Sequence, residues 1–176
     1  MIKRGNTAIA RTKHSKPYQY LVKNNLIHML EYVLDYGCGK GYDVEQLKKA
    51  GYRIKGYDKF QENYNDLHTL DYVFDVVTCN YVLNVIEDNV ERLKVIEELR
   101  DLANQVYITV RSDKKSIKDT WTKYNDGWIT TKGTFQKFFT VSELEEMCCT
   151  SEDWDFSVLT NNSNEIMISM KYLGGM

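Results

Sequence analysis

Tyr32-Val33-Leu34-Asp35-Tyr36-Gly37-Cys38-Gly39-Lys40-Gly41 decides how the rest of this chain is read. Residues 32–36 are short, apolar and β-prone, and they run directly into three glycines at alternate positions. Behind them Val44, Leu47 and Ala50 follow helical spacing, and Gly51 stands where a helix C-terminal glycine belongs. Residues 52–58, Tyr-Arg-Ile-Lys-Gly-Tyr-Asp, read as a second strand. Strand, glycine turn, helix, strand is the first βαβ unit of a doubly wound, Rossmann-like α/β fold. Glycines in such a turn permit backbone conformations closed to other residues and remove the Cβ between backbone and ligand. The helix that follows presents free N–H groups and a partial positive charge.

Downstream the pattern continues. Residues 73–79 (Val-Phe-Asp-Val-Val-Thr-Cys) form the next clear strand, 88–103 an amphipathic helix on Val90, Leu93, Ile96 and Leu99, and 105–110 another strand. Residues 111–140 are basic and aromatic and read mostly as loop. Residues 141–148 read as a helix opened by Thr140 as N-cap with Glu143 completing a capping box. Two β-prone runs, 155–160 and 165–172, joined by Asn161-Asn162-Ser163-Asn164, close the chain as an antiparallel hairpin on a mostly parallel sheet. Only 14 residues separate Asp58 from Val73, so the helix or edge strand expected after the second strand is shortened. The reading is one domain, 1–176. It comprises a basic N-terminal lid segment (1–30), a ligand-binding half (31–110), a substrate-side insertion (111–140) and a closing helix and hairpin (141–176).

The chain has 176 residues, 43% hydrophobic and 27% charged, which is ordinary globular composition. No segment is long and apolar enough for a membrane span, and the first residues lack a signal-like stretch. Cys38, Cys79, Cys148 and Cys149 show no metal-ligand or disulfide spacing, so a reducing, cytoplasmic setting and no metal are expected. The net charge of −2 is unevenly spread: +6 over 1–30, −6 over 31–110, +4 over 111–140 and −6 over 141–176. Two basic segments on an acidic body suit an anionic partner if they meet in space.

The glycine spacing narrows the ligand. A dinucleotide fingerprint is GxGxxG, and Tyr42 breaks it; a phosphate P-loop needs Gly-Lys-Ser/Thr, and Gly41-Tyr42-Asp43 is not that. A nicotinamide-dependent oxidoreductase is therefore disfavoured. Asp35-x-Gly37-x-Gly39-x-Gly41, with Asp58 at the end of the second strand 23 residues on, resembles the class I S-adenosylmethionine (SAM)-dependent methyltransferases. The resemblance covers roughly Tyr32 to Tyr172 and implies a class I methyltransferase fold with SAM as cofactor. It implies cofactor contacts at Asp35, Gly37, Cys38, Gly39, Gly41, Asp58 and Asn80. Asp58 would accept ribose hydrogen bonds, and Asp35 would face the ammonium end of SAM. The residue that covers adenine is hard to place; Asp66, His68 and Leu70 are candidates.

Three further stretches, 7–17 (Thr-Ala-Ile-Ala-Arg-Thr-Lys-His-Ser-Lys-Pro), 80–87 (Asn-Tyr-Val-Leu-Asn-Val-Ile-Glu) and 133–140 (Gly-Thr-Phe-Gln-Lys-Phe-Phe-Thr), are similar to methyltransferases associated with bacterial DNA phosphorothioation gene clusters. That resemblance implies a DNA, RNA or nucleotide-like acceptor. Asn80-Tyr81-Val82 stands where DNA amino-methyltransferases carry a Pro-Pro motif, so the standard adenine-N6 and cytosine-N4 chemistries are disfavoured. Tyr18 after the only proline, Pro17, excludes a Pro-Cys nucleophile. Asn80, Tyr81 and His14 are the expected catalytic residues. Arg11, Lys13, Lys16, Gln136 and Lys137 are the expected acceptor-binding residues, and Trp121, Tyr124 and Trp128 could stack a base. The alternatives are a small-molecule or protein methyltransferase, and a non-catalytic module that binds SAM or nucleic acid.

Overall fold

β1, Tyr32–Tyr36, lies inside a six-stranded sheet because its residues after Tyr32 are buried on both faces. The computed structural model describes residues 2–112 and 114–174. β1 pairs in parallel with β2 (Arg53–Tyr57) on one side and β3 (Phe74–Asn80) on the other, and β3 pairs in parallel with β4 (Ala103–Arg111). β9 (Glu165–Tyr172) runs antiparallel to β4, and β8 (Trp154–Asn161) antiparallel to β9. The order is β2-β1-β3-β4-β9-β8, the mostly parallel sheet with closing hairpin that the element order predicts.

Adjacent residues on each strand divide between the two faces, as the strand period of two requires. Leu34, Val77, Ile108 and Ile168 pack with α3 (Asn89–Leu102) and α4 (Val141–Cys148). Val33, Val76, Tyr107 and Met167 pack with α1 (Lys16–Lys23) and α2 (Tyr42–Lys49). Each fully buried aliphatic side chain contributes about 1.5–3 kcal/mol. Side chains fix the helix starts. Asp88 accepts from the N–H groups of Val90 (2.7 Å) and Glu91 (3.1 Å) at α3, and the Thr140–Glu143 capping box forms at α4. Gly51, at φ +94°, follows the end of α2 as a C-terminal glycine should.

The shortened segment after β2 holds turns and one 3-10 turn, Leu67–Asp71, capped by Asp66, so β2 is the sheet edge. Two regions depart from expectation. Residues 111–140 are mostly turns and loops, as expected, but within them β5 (Thr122–Tyr124), β6 (Gly127–Ile129) and β7 (Phe135–Gln136) make a separate antiparallel sheet that was not. Strands of two or three residues carry too little alternation to be read from sequence. The second departure is α1, a helix within the basic N-terminal segment that carries Pro17 in its first turn and buries Tyr18 and Leu21.

Candidate functional site

Above the carboxyl ends of β1, β3 and β4 lies a cleft of about 1140 Å³. It is walled by the N-terminal strap (residues 4–16), the glycine turn, the segment 57–61, the segment 80–86 and the small sheet. Open α/β sheets bind ligands at this edge, and the volume is ample for a cofactor and a small acceptor together.

The floor is built by the strand-to-turn junctions. The N–H groups of Gly37 (2.7 Å) and Cys38 (3.1 Å) donate to the Tyr57 carbonyl, which stitches the glycine turn to the end of β2. Gly37 has φ +75°, and a Cβ there would lie 2.2 Å from Val82 Cγ2, so both conformation and space demand glycine. Asp58 reaches back over this turn: Oδ2 accepts from Gly39 N–H at 2.9 Å and Oδ1 from Phe60 N–H at 2.9 Å. Each carboxylate oxygen retains accepting capacity toward the cleft. Cys38 lines the cleft, with burial pushing its thiol far above the ordinary range.

Asp35 sits at the bottom, 4% exposed. Its Oδ1 accepts from Thr78 Oγ1 at 3.2 Å, and Thr78 shares a 2.7 Å hydrogen bond with the Tyr18 hydroxyl. Desolvation, then the neighbouring Asp43 carboxylate, push the Asp35 carboxyl up to about 7 against these hydrogen bonds. Among the described residues Asp35 has no ion-pair partner. Beside it, the side-chain nitrogen and oxygen of Asn80 are shielded from solvent, and neither has a hydrogen-bond partner. A cleft floored by a cationless carboxylate and an unsatisfied amide is chemically incomplete.

The strap is tied down at both ends. Near its start Lys3 N–H donates to Gly133 O (2.9 Å), and Arg4 pairs with Glu87 (2.8 Å) and Glu91 (2.7 Å). At its far end Asp43 Oδ1 holds both His14 Nδ1 (2.9 Å) and the Ser15 N–H (3.0 Å), while Tyr42 donates to the Thr12 carbonyl (2.8 Å). Ala8 thereby lies across Gly39. The expected lid segment thus crosses the cleft, and Arg11, Lys13, His14 and Lys16 line it.

On the opposite wall Tyr81 takes φ +62°, a conformation disfavoured for a bulky side chain and often kept at functional sites. Its N–H donates to the Thr109 carbonyl at 2.7 Å and its hydroxyl to Glu165. Burial and the Glu165 carboxylate raise the Tyr81 hydroxyl well above its usual range. Gln136 also lines the cleft, its amide donating to the Lys137 carbonyl at 2.7 Å.

The structure brings Asp35, Gly37, Cys38, Gly39, Asp58, Asn80, Tyr81, His14, Arg11, Lys13, Lys16 and Gln136 together around one cleft. Two expected residues fall outside it. Gly41 precedes α2 at φ +74°, where a Cβ would strike the Tyr64 hydroxyl at 2.0 Å; its glycine serves the turn and Tyr64. Lys137 is 5% exposed and turned inward, its ammonium 2.7 Å from Glu143 and 3.2 Å from Asp126. Its charge is consumed in the small sheet's anchorage. Asp66, His68 and Leu70 are also away from the cleft: Asp66 caps the 3-10 turn, His68 pairs with Asp71 in solvent, and Leu70 packs on the core. Phe60, half-exposed two residues after Asp58, lines the cleft where they were expected to. Trp121 stacks on Phe138, Tyr124 meets Phe135 edge-on and Trp128 lies under Lys123, so these rings anchor the insertion rather than face the cleft. Arg111, Glu165 and Phe60 line the cleft without having been singled out by sequence; Arg111 could have been found from its place at a strand's carboxyl end.

A family model described as a methyltransferase domain matches residues 9–160. No curated protein matches by sequence. Among solved structures, a SAM-dependent methyltransferase from Methanosarcina mazei superimposes with a TM-score of 0.66 at 18% identity, covering 86% of this chain and 97% of that one. The Burkholderia thailandensis 1,6-didemethyltoxoflavin-N1-methyltransferase, solved with 1,6-didemethyltoxoflavin and S-adenosylhomocysteine bound, superimposes with a TM-score of 0.61 at 14% identity, covering 89% of this chain and 77% of that one. The glycopeptide N-methyltransferase MtfA, complexed with S-adenosylhomocysteine, gives a TM-score of 0.63 at 8% identity, covering 93% and 92%. At these identities the likenesses show the fold.

Proposed function

The chain belongs to the methyltransferase-domain family, as a class I SAM-dependent enzyme, and from that premise we propose how its cleft is used. SAM supplies an activated methyl on a sulfonium sulfur, so the protein needs chiefly to align the partners and keep water out. The observation that carries the assignment is the floor of the cleft: Asp35 without a cation, next to Asn80 without a hydrogen-bond partner. An ammonium-bearing ligand satisfies the first, and a ligand offering both donor and acceptor satisfies the second. Asp58, already oriented by two backbone N–H groups, has capacity for ribose hydroxyls, and Phe60 supplies an apolar face for the base. Cys38 fills the space beneath the turn, and Gly37 and Gly39 keep its backbone open.

On the acceptor side Asn80 and Tyr81 orient the nucleophile. A proton leaving an N–H or O–H nucleophile can pass to the Tyr81–Glu165 pair or to the ring of His14, whose other nitrogen is held by Asp43. The rim carries Arg11, Lys13, Lys16 and Gln136, and supports an anionic acceptor of nucleotide-like size. A nucleic-acid polymer and the phosphorothioation-type relationship rest on the sequence resemblance alone, and the polymer reading loses Lys137 from its basic surface.

Calorimetric titration with SAM and S-adenosylhomocysteine, with NAD as control, tests the cofactor. Saturable binding of the SAM pair, lost in Asp58→Ala and weakened in Asp35→Asn, is the expected result; binding of NAD instead would overturn it. Methyl transfer lost in Asn80→Ala or His14→Ala, with S-adenosylhomocysteine still bound, separates an enzyme from a non-catalytic binding module.

A further inference from the structure

The acceptor half of the cleft contains two guanidinium groups that the fold leaves uncommitted. Arg111 ends β4, and its backbone is fixed twice: it pairs with Glu165 in the β4–β9 ladder, and its carbonyl accepts from Phe139 N–H at 2.8 Å. Its Nε is shielded from solvent and has no hydrogen-bond partner. Arg11 comes from the strap on the other side. Among the described residues neither arginine has an ion pair, although both line the cleft and both act electrostatically on the Tyr81 hydroxyl.

The other cationic groups of the cleft differ. Arg4 and Lys59 are paired with Glu87 and Glu91, and His14 with Asp43. Lys13 and Lys16 flank His14, which Asp43 of α2 holds, and Lys132 lines the cleft from the turn before β7; these are flexible ammonium groups rather than planar forks. Glu165 stands opposite Arg111 in the ladder, and the Tyr81 hydroxyl already donates to its carboxylate. A buried guanidinium nitrogen without an acceptor is costly, and a planar fork suits an oxyanion better than any neutral group.

We propose that Arg11 and Arg111 clamp one compact oxyanion of the methyl acceptor, a phosphate or a carboxylate, and so hold the acceptor against Asn80 and Tyr81. This rests on the methyl-transfer reading of the cleft and specifies its substrate class. Two arginines that line one cleft and both act on the Tyr81 hydroxyl suit a single anionic group; a polyanion would need a continuous stripe of free cations, which the pairing of Arg4 and Lys59 and the burial of Lys137 interrupt. The clamp also joins acceptor binding to strap closure, because Arg11 reaches the site only with the strap in place.

Inorganic phosphate and, separately, glutarate are titrated into the free protein and into protein saturated with S-adenosylhomocysteine, at low salt. The expected result is saturable binding of at least one anion, weakened about tenfold by Arg111→Gln and by Arg11→Gln, the loss expected for one hydrogen bond to a charged group. Lys49→Gln, on the far surface, should leave it unchanged. Phosphate without glutarate identifies a phosphate-bearing acceptor, and the reverse a carboxylate. Absence of binding by both anions, or binding indifferent to both arginine variants, overturns the clamp. An oligonucleotide that binds more tightly than phosphate, with a salt dependence steeper than two phosphates provide, overturns the compact anion in favour of a polymer. Failure of S-adenosylhomocysteine to bind sinks the methyl-transfer reading separately, because the free-protein titrations still report on the arginines.

Discussion

Asp35 is a carboxylate that folding alone has no reason to bury. Its carboxyl is pushed up to about 7, principally by desolvation and then by Asp43, whereas in the unfolded chain it titrates near 3.9. The folded state therefore holds a proton that the unfolded state has lost between about pH 4 and pH 7, so this group's contribution to stability falls as pH rises through that window and levels off above it. Replacing Asp35 with Asn should flatten that part of the urea-midpoint against pH curve. A bound ammonium reverses the preference by favouring the ionised carboxylate. Binding of S-adenosylhomocysteine should then release a proton below pH 7, and affinity should fall by up to about tenfold per pH unit. Calorimetry at pH 6 in buffers of different ionisation enthalpy should show that release; it should vanish above pH 8 and in Asp35→Asn. Proton uptake would contradict the placement. Gly37 makes a second case: Gly37→Ala adds both a strained φ and a 2.2 Å clash with Val82. It should cost about 1–3 kcal/mol in urea unfolding and abolish S-adenosylhomocysteine binding.

The elements were legible to very different degrees, and the reasons are physical. β1, α2 and β2 follow from local signals that agree: β-prone residues, glycines where φ is positive, and a helix stop. The α4 capping box is equally local and forms as read. The small sheet was not legible, because its position depends on partners remote in sequence. Arg92, 1% exposed on α3, donates two 2.7 Å hydrogen bonds to Asp126 in the β5–β6 turn, and Lys137 closes on the same carboxylate at 3.2 Å. No spacing announces such a pairing, and for the same reason Lys137 reads as a surface cation. Burial alone would raise the Asp126 carboxyl, but the hydrogen bonds and charge of Arg92, followed by Lys137, leave it below the usual range. The stabilisation is therefore present at neutral pH and lost as acid protonates Asp126. Asp126→Ala strands the buried Arg92 guanidinium, while Lys137 keeps Glu143, and should destabilise by about 2–4 kcal/mol in urea denaturation, with Trp121 and Trp128 fluorescence reporting loosening of the insertion.

At the scale of the whole molecule, the uneven charge along the chain resolves into an enclosure. The basic N-terminal segment is laid across an acidic body and held through Glu87, Glu91 and Asp43, so much of its charge closes the cleft rather than coats the surface. That division could not be read from the sequence, where the six cations look alike; the fold distinguishes Arg4, which is paired, from Arg11, which is not. If the strap is a cover, the pins at its two ends should control it together. Asp43→Ala removes the acceptor of both His14 and the Ser15 N–H, and Arg4→Ala removes the opposite pin. Each should raise amide hydrogen exchange over residues 3–15 and speed dissociation of S-adenosylhomocysteine by about tenfold, roughly the value of one charge-assisted hydrogen bond. The two variants should part company in their pH dependence. Asp43 is one of the charges that hold the Asp35 carboxyl up, so its loss should move proton release on binding to lower pH. Arg4→Ala should leave that release where it is. Faster dissociation without faster exchange in the strap would mean that the cleft opens elsewhere.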